Sequence, residues 1–154
     1  MQKIKASELP KIIKQVNKEP RHKHPHGSVK RGFREDLGIF VASSWEANFA
    51  RYLNFLLERD PTICDWQYEP DTFEFPIKHG ITRYTPDFKV YYLGSIVYYE
   101  VKGWMNAPSK TKLNRMRKYY PDVKLFVIDR EQYTAIGKWR HLIPGWESDG
   151  VFKD

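Results

Sequence analysis

Asp87, Glu100 and Lys102 are the residues of this chain whose types and spacing suit chemistry. They lie in the stretch 83–103, crowded with Tyr, Val and Ile, which reads as two β-strands joined at Gly94-Ser95. Glycine as the first central residue suits a two-residue type II′ turn, so Leu93 is expected to pair with Ile96. Asp87 then opposes Lys102, and Lys89 opposes Glu100. The two-residue period of a strand puts Asp87, Glu100 and Lys102 on one face. Strands so rich in aromatics are at least partly buried, and buried charge is costly unless paired or metal-bound. Two carboxylates suit Mg²⁺, with Mn²⁺ as a substitute; both are hard cations that also take phosphate oxygens. An ammonium beside them can orient or deprotonate a water, or hold a phosphate. The set fits metal-assisted hydrolysis of a phosphodiester. The plainer alternative is a structural Asp87–Lys102 ion pair with Glu100 solvated at a strand end.

The elements around this hairpin must position it. Residues 43–58 have helical periodicity, with Ser43 or Ser44 as N-cap and Asp60-Pro61 as the stop. Phe49, Ala50, Leu53, Leu56 and Leu57 form the inward stripe, and helical spacing extends it back to Glu46. A first-turn acid also serves as a capping or dipole partner; the inward placement favours a third carboxylate at the metal site. Asn48 and Arg51 fall on neighbouring faces, within reach of phosphate or solvent. Residues 65–68 and 72–77 read as strands about the Glu69-Pro70-Asp71 turn, with Phe73, Phe75 and Ile77 facing the core and Trp66 and Tyr68 as core packing. Ser109 is the expected cap of a helix to Tyr120. It carries Lys110, Lys112, Arg115, Arg117 and Lys118 opposite an apolar side of Leu113, Met116 and Tyr120. Residues 123–128 form a near-continuous apolar strand, buried on both faces. A terminal helix over 131–142 has Tyr133, Ile136, Trp139 and Leu142 on its apolar side.

At 154 residues and 41% hydrophobic content the chain suits one folded body. Its net charge of +7 is uneven: residues 1–34 hold ten Lys/Arg against Glu8 and Glu19, or +8, leaving −1 for the rest. A basic arm on a near-neutral body is what a phosphate-binding protein shows. We divide the chain into a basic arm, 1–36, and a catalytic domain, 37–154. Within the arm, 8–17 reads as a short amphipathic helix capped by Ser7. Residues 19–33 read as a linker broken by Pro20, Pro25, Gly27 and Gly32. The Arg-His-Lys-His-Pro-His run in that linker has metal-ligand residue types, but its spacing matches no zinc pattern, and contact with a nucleic-acid backbone is expected instead. Cys64 is the only cysteine, which excludes an intrachain disulfide or a cysteine zinc cluster. With no membrane-length apolar run and no signal-peptide core, a cytoplasmic location is expected, the host cytoplasm if the chain is phage-encoded.

Pro86-Asp87 followed, after a short hairpin, by Glu100-Val101-Lys102-Gly103 resembles the signature of the PD-(D/E)XK nuclease superfamily, over roughly residues 40–130. The string Ser43-Ser44-Trp45-Glu46-Ala47-Asn48-Phe49 is similar to the helix that precedes this motif in phage endonucleases of the group, where the glutamate is catalytic. The resemblance implies an α/β restriction-endonuclease-like core, a mixed central sheet flanked by helices. It implies Mg²⁺ held by Asp87, Glu100, the Val101 carbonyl and Glu46, with Lys102 positioning the attacking water. Lys30, Arg31, Arg34, Arg51, Lys89, Lys110, Lys112 and Arg115 are the expected DNA-backbone contacts. In length, basicity and motif order the chain is similar to phage and archaeal Holliday-junction resolving enzymes, so four-way DNA junctions are the expected substrate and a homodimer the expected assembly. Nicking, end-processing or transposition-related cleavage, or DNA binding without catalysis, are the alternatives.

Overall fold

A computed structural model describes residues 31–148. The expected helix at 8–17, the histidine-containing run, Lys30 and the last six residues lie outside the described residues. In chain order the elements are β1 (Gly32–Arg34), β2 (Ile39–Val41), α1 (Ser44–Leu57), β3 (Ile63–Tyr68), β4 (Phe73–Glu74), β5 (Arg83–Tyr84), β6 (Phe88–Tyr92), β7 (Ser95–Val101), α2 (Ala107–Tyr119), β8 (Leu125–Ile128) and α3 (Arg130–Gly137), followed by a 3₁₀ turn (Arg140–Leu142). Among the described residues the fold is mixed α/β with a mixed central sheet and three α-helices.

The central sheet has the order β3-β6-β7-β8. β3, β6 and β7 pair antiparallel, and β8 lies parallel to β7. A parallel return needs a long crossover, and α2 supplies it. α1 and α3 cover one face, where Phe49, Leu53 and Tyr133 pack on Phe88, Val90, Tyr99 and Ile128. The other face carries a smaller core of Phe75, Tyr84 and Met116, bounded by Phe73, Ile77 and Leu125. Val127 and Ile128 are both buried on successive positions of β8, so the expectation of a strand covered on both faces holds at its end.

α1 begins where expected. Ser43 is extended (φ −151°, ψ 162°) and its side chain accepts the Glu46 N–H. Phe49, Ala50, Leu53 and Leu56 are buried, and so are Asn48, Arg51, Tyr52 and Phe55 beside them. The helix is therefore enclosed on far more than one stripe.

Several expectations are corrected. The hairpin pairs Tyr92 with Ser95 and Phe88 with Tyr99, so the turn residues are Leu93-Gly94 and not Gly94-Ser95. Gly94 takes φ +79° as the second central residue, a conformation that glycine adopts without steric cost. Gly32 and Phe33, assigned to the linker, form β1 and pair with Val41 and Phe40. The 72–77 segment gives only the two-residue β4, which pairs with β5 in a separate sheet, because Pro76 cannot donate to a ladder. α2 is capped by Asn106, whose Oδ1 accepts the Ser109 N–H at 2.9 Å, with Pro108 in the first turn. The terminal helix stops at Gly137, and the path changes before Trp139 and Leu142, which are 48% and 59% exposed instead of facing the core. Among the described residues no helix is long and apolar enough to cross a membrane.

Candidate active site

The site forms where β3 and β7 end and β6 begins. Continuing the observed register one step past Phe88–Tyr99 sets Asp87 across from Glu100, not Lys102. The shared face survives this correction, because the one-residue displacement of the turn moves each pairing by two and preserves parity. Asp87 precedes β6, and its side chain extends the ladder: Oδ2 accepts the Val101 N–H at 2.7 Å in place of the Asp87–Lys102 ion pair. The Val101 carbonyl lies on the same edge of β7 as its N–H, since a strand residue points both groups the same way. The Glu100 Oε2 accepts the Tyr84 hydroxyl at 2.6 Å.

Glu46 reaches this place from the first turn of α1 and is 7% exposed. Its capping role is real: Oε1 accepts the Ser43 hydroxyl and Oε2 the Ala42 N–H, both at 2.9 Å. Oε2 also accepts the Tyr68 hydroxyl at 2.6 Å. Oε2 is thus saturated, and Oε1 has one lone pair left. By contrast Asp87 Oδ1 and Glu100 Oε1 have no hydrogen bond. The sole sealed side-chain polar atom without a partner among the described residues is Asp60 Oδ2, so neither of these oxygens is wholly closed off from solvent.

The electrostatics are those of surplus negative charge. Burial, then Glu100 and Glu46, push Asp87 well above the usual carboxylate range, against the opposing Val101 N–H. Burial also raises Glu100; the Tyr84 hydrogen bond, Lys102 and Lys112 pull it back, and Glu46 adds to the rise. Glu69 joins the group. It sits at φ +47°, its N–H donating to the Asp87 carbonyl at 2.8 Å, and burial with Glu46 and Glu100 raises its pKa while Arg31 opposes. The same carboxylates push the Tyr68 and Tyr84 hydroxyls, already desolvated, far above their ordinary values, so both remain donors. Open hard oxygens in uncompensated negative surroundings suit a divalent cation. Among the described residues no three His, Cys, Asp or Glu side chains already close to a metal cage.

Gly103 completes the strand end. A Cβ there would stand 3.1 Å from two carbons of the Trp45 ring, which is itself stacked on Tyr133 at 4.0 Å. Any larger residue at 103 would require the Trp45 ring to give by a few tenths of an ångström.

The expected DNA contacts divide. Arg51 is corrected: it is 7% exposed and holds Asp36 at 2.7 Å and Glu147 at 2.8 Å. Arg34 is corrected likewise, its guanidinium paired with Glu147. Lys89 is bound to Asp71 at 2.6 Å, and the same Asp71 accepts the Tyr98 hydroxyl. These cations serve the fold. Asn48, fully buried, bonds Tyr133 and the Glu147 backbone. Arg115 donates to the Ile81 carbonyl. Lys112 does lie at the site, 5.6 Å from the Tyr84 ring centre. Lys110 and Arg31 are exposed.

Comparison with protein-family models, with curated proteins and with solved structures finds no match. Tyr68, Glu69 and Tyr84 are the members that sequence reasoning missed. Tyr84 carried a usable signal, three residues before Asp87 in the same extended stretch; Tyr68 read as core because its ring does pack on Phe88, 5.3 Å away.

Proposed function

We propose that this chain is a metal-dependent DNA endonuclease with a restriction-endonuclease-like core of the PD-(D/E)XK type, acting on branched DNA in the manner of a Holliday-junction resolvase and working as a homodimer. The observation that carries the reading is the meeting of Asp87, Glu100 and Glu46, from three different elements, with two open oxygens and Lys102 and Lys112 at the rim.

Asp87 Oδ1, Glu100 Oε1 and the Val101 carbonyl would hold Mg²⁺, with Glu46 acting through water because its oxygens are largely engaged. Bound Mg²⁺ supplies Lewis acidity and charge neutralisation at the scissile phosphate. Lys102 positions the water whose oxygen adds to phosphorus. The bond from phosphorus to the leaving ester oxygen breaks, that oxygen gains a proton, and the water's proton passes to solvent. Tyr84 and Tyr68 hold the carboxylates in place. Arg31, Lys110 and Lys112 neutralise flanking phosphates. A homodimer places two such sites on opposed strands of a junction.

The test is cleavage of a labelled four-way junction beside its component linear duplexes in Mg²⁺, for wild type and Asp87→Asn. Paired symmetric cuts in the junction alone, absent from the variant, support the resolvase. Equal cutting of the linear duplex leaves a nuclease acting on other DNA. Binding without cutting by either protein defeats the catalytic reading.

A further inference from the structure

We infer that Trp104 is a stacking platform for an unpaired base, so that the site takes DNA in which a base beside the scissile phosphate has left the helix. The inference rests on the phosphodiester reading of the neighbouring carboxylates.

Trp104 is 80% exposed, more than any other large hydrophobic residue among those described. It enters no ring stack or hydrogen bond there, so both ring faces and the indole N–H are available. A side chain of this size recovers much when buried and nothing when left in water. Other exposed apolar residues have local settings. Leu93 is in the hairpin turn and Ile96 lies two residues past it, and Trp139 and Leu142 line a groove with Phe55 and Pro61.

Trp104 belongs to the site by position. It lies two residues after Lys102 and two before Asn106, the cap of the helix that carries Lys110 and Lys112. It is not at the tip of a free loop. The preceding Gly103 is pressed on the Trp45 ring, 3.1 Å from an added Cβ, and Trp45 is stacked on Tyr133. The chain is thus pinned one residue before the exposed indole.

An uncharged ring adds nothing to phosphate binding, for which the lysines suffice. Its two faces suit a base face, and in a continuous duplex those faces are covered by neighbouring pairs. A ring beside the cleavage centre therefore selects single strands, flaps or branch points, where a base face is free.

The experiment measures binding in EDTA, so that no strand is cut. The probes are a fluorescein-labelled single strand, a four-way junction and a blunt duplex of the same sequence. Wild type, Trp104→Ala and Trp104→Phe are compared, with circular dichroism as the check on folding. Trp104→Ala is expected to weaken single-strand and junction binding by about 5- to 150-fold, the range of one base stack, with duplex binding changed less than about twofold. Trp104→Phe should retain most of the affinity. Equal weakening on all three probes, no weakening on any, or a wild type that binds none of them overturns the inference. Selective loss in a wild type that cuts no DNA in Mg²⁺ keeps the platform and removes only the hydrolytic reading.

Discussion

Replacing Asp87 by asparagine separates what this carboxylate does for chemistry from what it does to the fold. Burial and the neighbouring Glu100 and Glu46 hold its pKa well above the normal range. The Asp87→Asn variant keeps an oxygen for the Val101 N–H, now 2.7 Å away, and can turn its amide N–H towards Glu100. Neutralisation then removes like-charge repulsion without leaving an empty partner. A gain of about 1 kcal/mol is expected, the usual size of such relief, or about 2–4 °C in Tm for a chain of this length.

The sign with pH is specific. Unfolded aspartate titrates near pH 3.9, roughly, and the folded group titrates higher, so between these values the native state binds more protons than the unfolded one. Wild-type stability from this group falls as pH rises through that window, and the penalty is complete above the folded pKa. The Tm difference between variant and wild type should therefore grow with pH and level off. Thermal melts in EDTA across pH 5 to 8 read it directly. Adding about 10 mM Mg²⁺ should stabilise wild type by about 1.4 kcal/mol for a Kd of about 1 mM, and leave the variant unmoved. Asp87→Asn melting below wild type in EDTA at pH 8, or Mg²⁺ raising both equally, refutes the charge-surplus account of the site.

Arg51→Met keeps the apolar stem but breaks the buried contacts with Asp36 and Glu147; because Arg34 still pairs with Glu147, urea unfolding should show a loss of about 2–3 kcal/mol, below the full penalty of an orphaned buried charge, with DNA affinity at fixed salt unchanged. Although burial pushes Glu147 up, Arg34 and Arg51 hold it below the usual carboxylate range. Its stabilisation is present above pH 4.3 or so and fades as pH falls through the lower folded value, so Arg51→Met should bring acid unfolding to higher pH. Tyr84→Phe removes a hydroxyl that lowers the Glu100 pKa; the Mg²⁺ concentration needed for half-maximal cleavage should rise, more at pH 6 than at pH 8. Gly103→Ala sets a methyl 3.1 Å from the Trp45 ring, whose stack on Tyr133 resists the few tenths of an ångström of retreat it needs; a loss of about 1–3 kcal/mol is expected by chemical denaturation.

The fold was legible wherever a local rule and the tertiary environment agree. α1 carries a serine cap, an apolar period and a proline stop, and it forms with those bounds. The hairpin strands are dense in β-formers and form too, but turn chemistry alone placed the turn one residue late. Glycine at a first central position suits one turn type and glycine at a second suits another, and the sequence Leu93-Gly94-Ser95 admits both. The end of α3 was hidden because Trp139 and Leu142 continue the helical period past Gly137, whereas the chain leaves the helix there. Arg34, Arg51 and Lys89 read as DNA-backbone contacts because their partners, Glu147, Asp36 and Asp71, are set by tertiary packing. Glu147 is 96 residues away from Arg51, and no spacing rule reaches that far.

The site's legibility has a different basis. Which residues share a face depends only on parity along a strand, so Asp87 and Glu100 keep a common face whichever two-residue turn joins the strands. Distances and engagement depend on every other atom nearby. Glu46 shows the difference: helical periodicity placed it inward, yet both of the roles weighed for it are compatible, since Ser43 and Ala42 occupy its oxygens while its charge still acts on Asp87 and Glu100. A capping glutamate turned inward keeps its hydrogen bonds to the helix start and adds its charge to those of Asp87, Glu100 and Glu69. The basic residues closest to that cluster, Lys102 and Lys112, lower the Glu100 pKa without forming an ion pair to it. Negative charge thus outweighs positive at the place where DNA, itself a polyanion, would have to arrive. A bound cation at the cluster would offset that excess, and so would aid both the approach of a scissile phosphate and its hydrolysis.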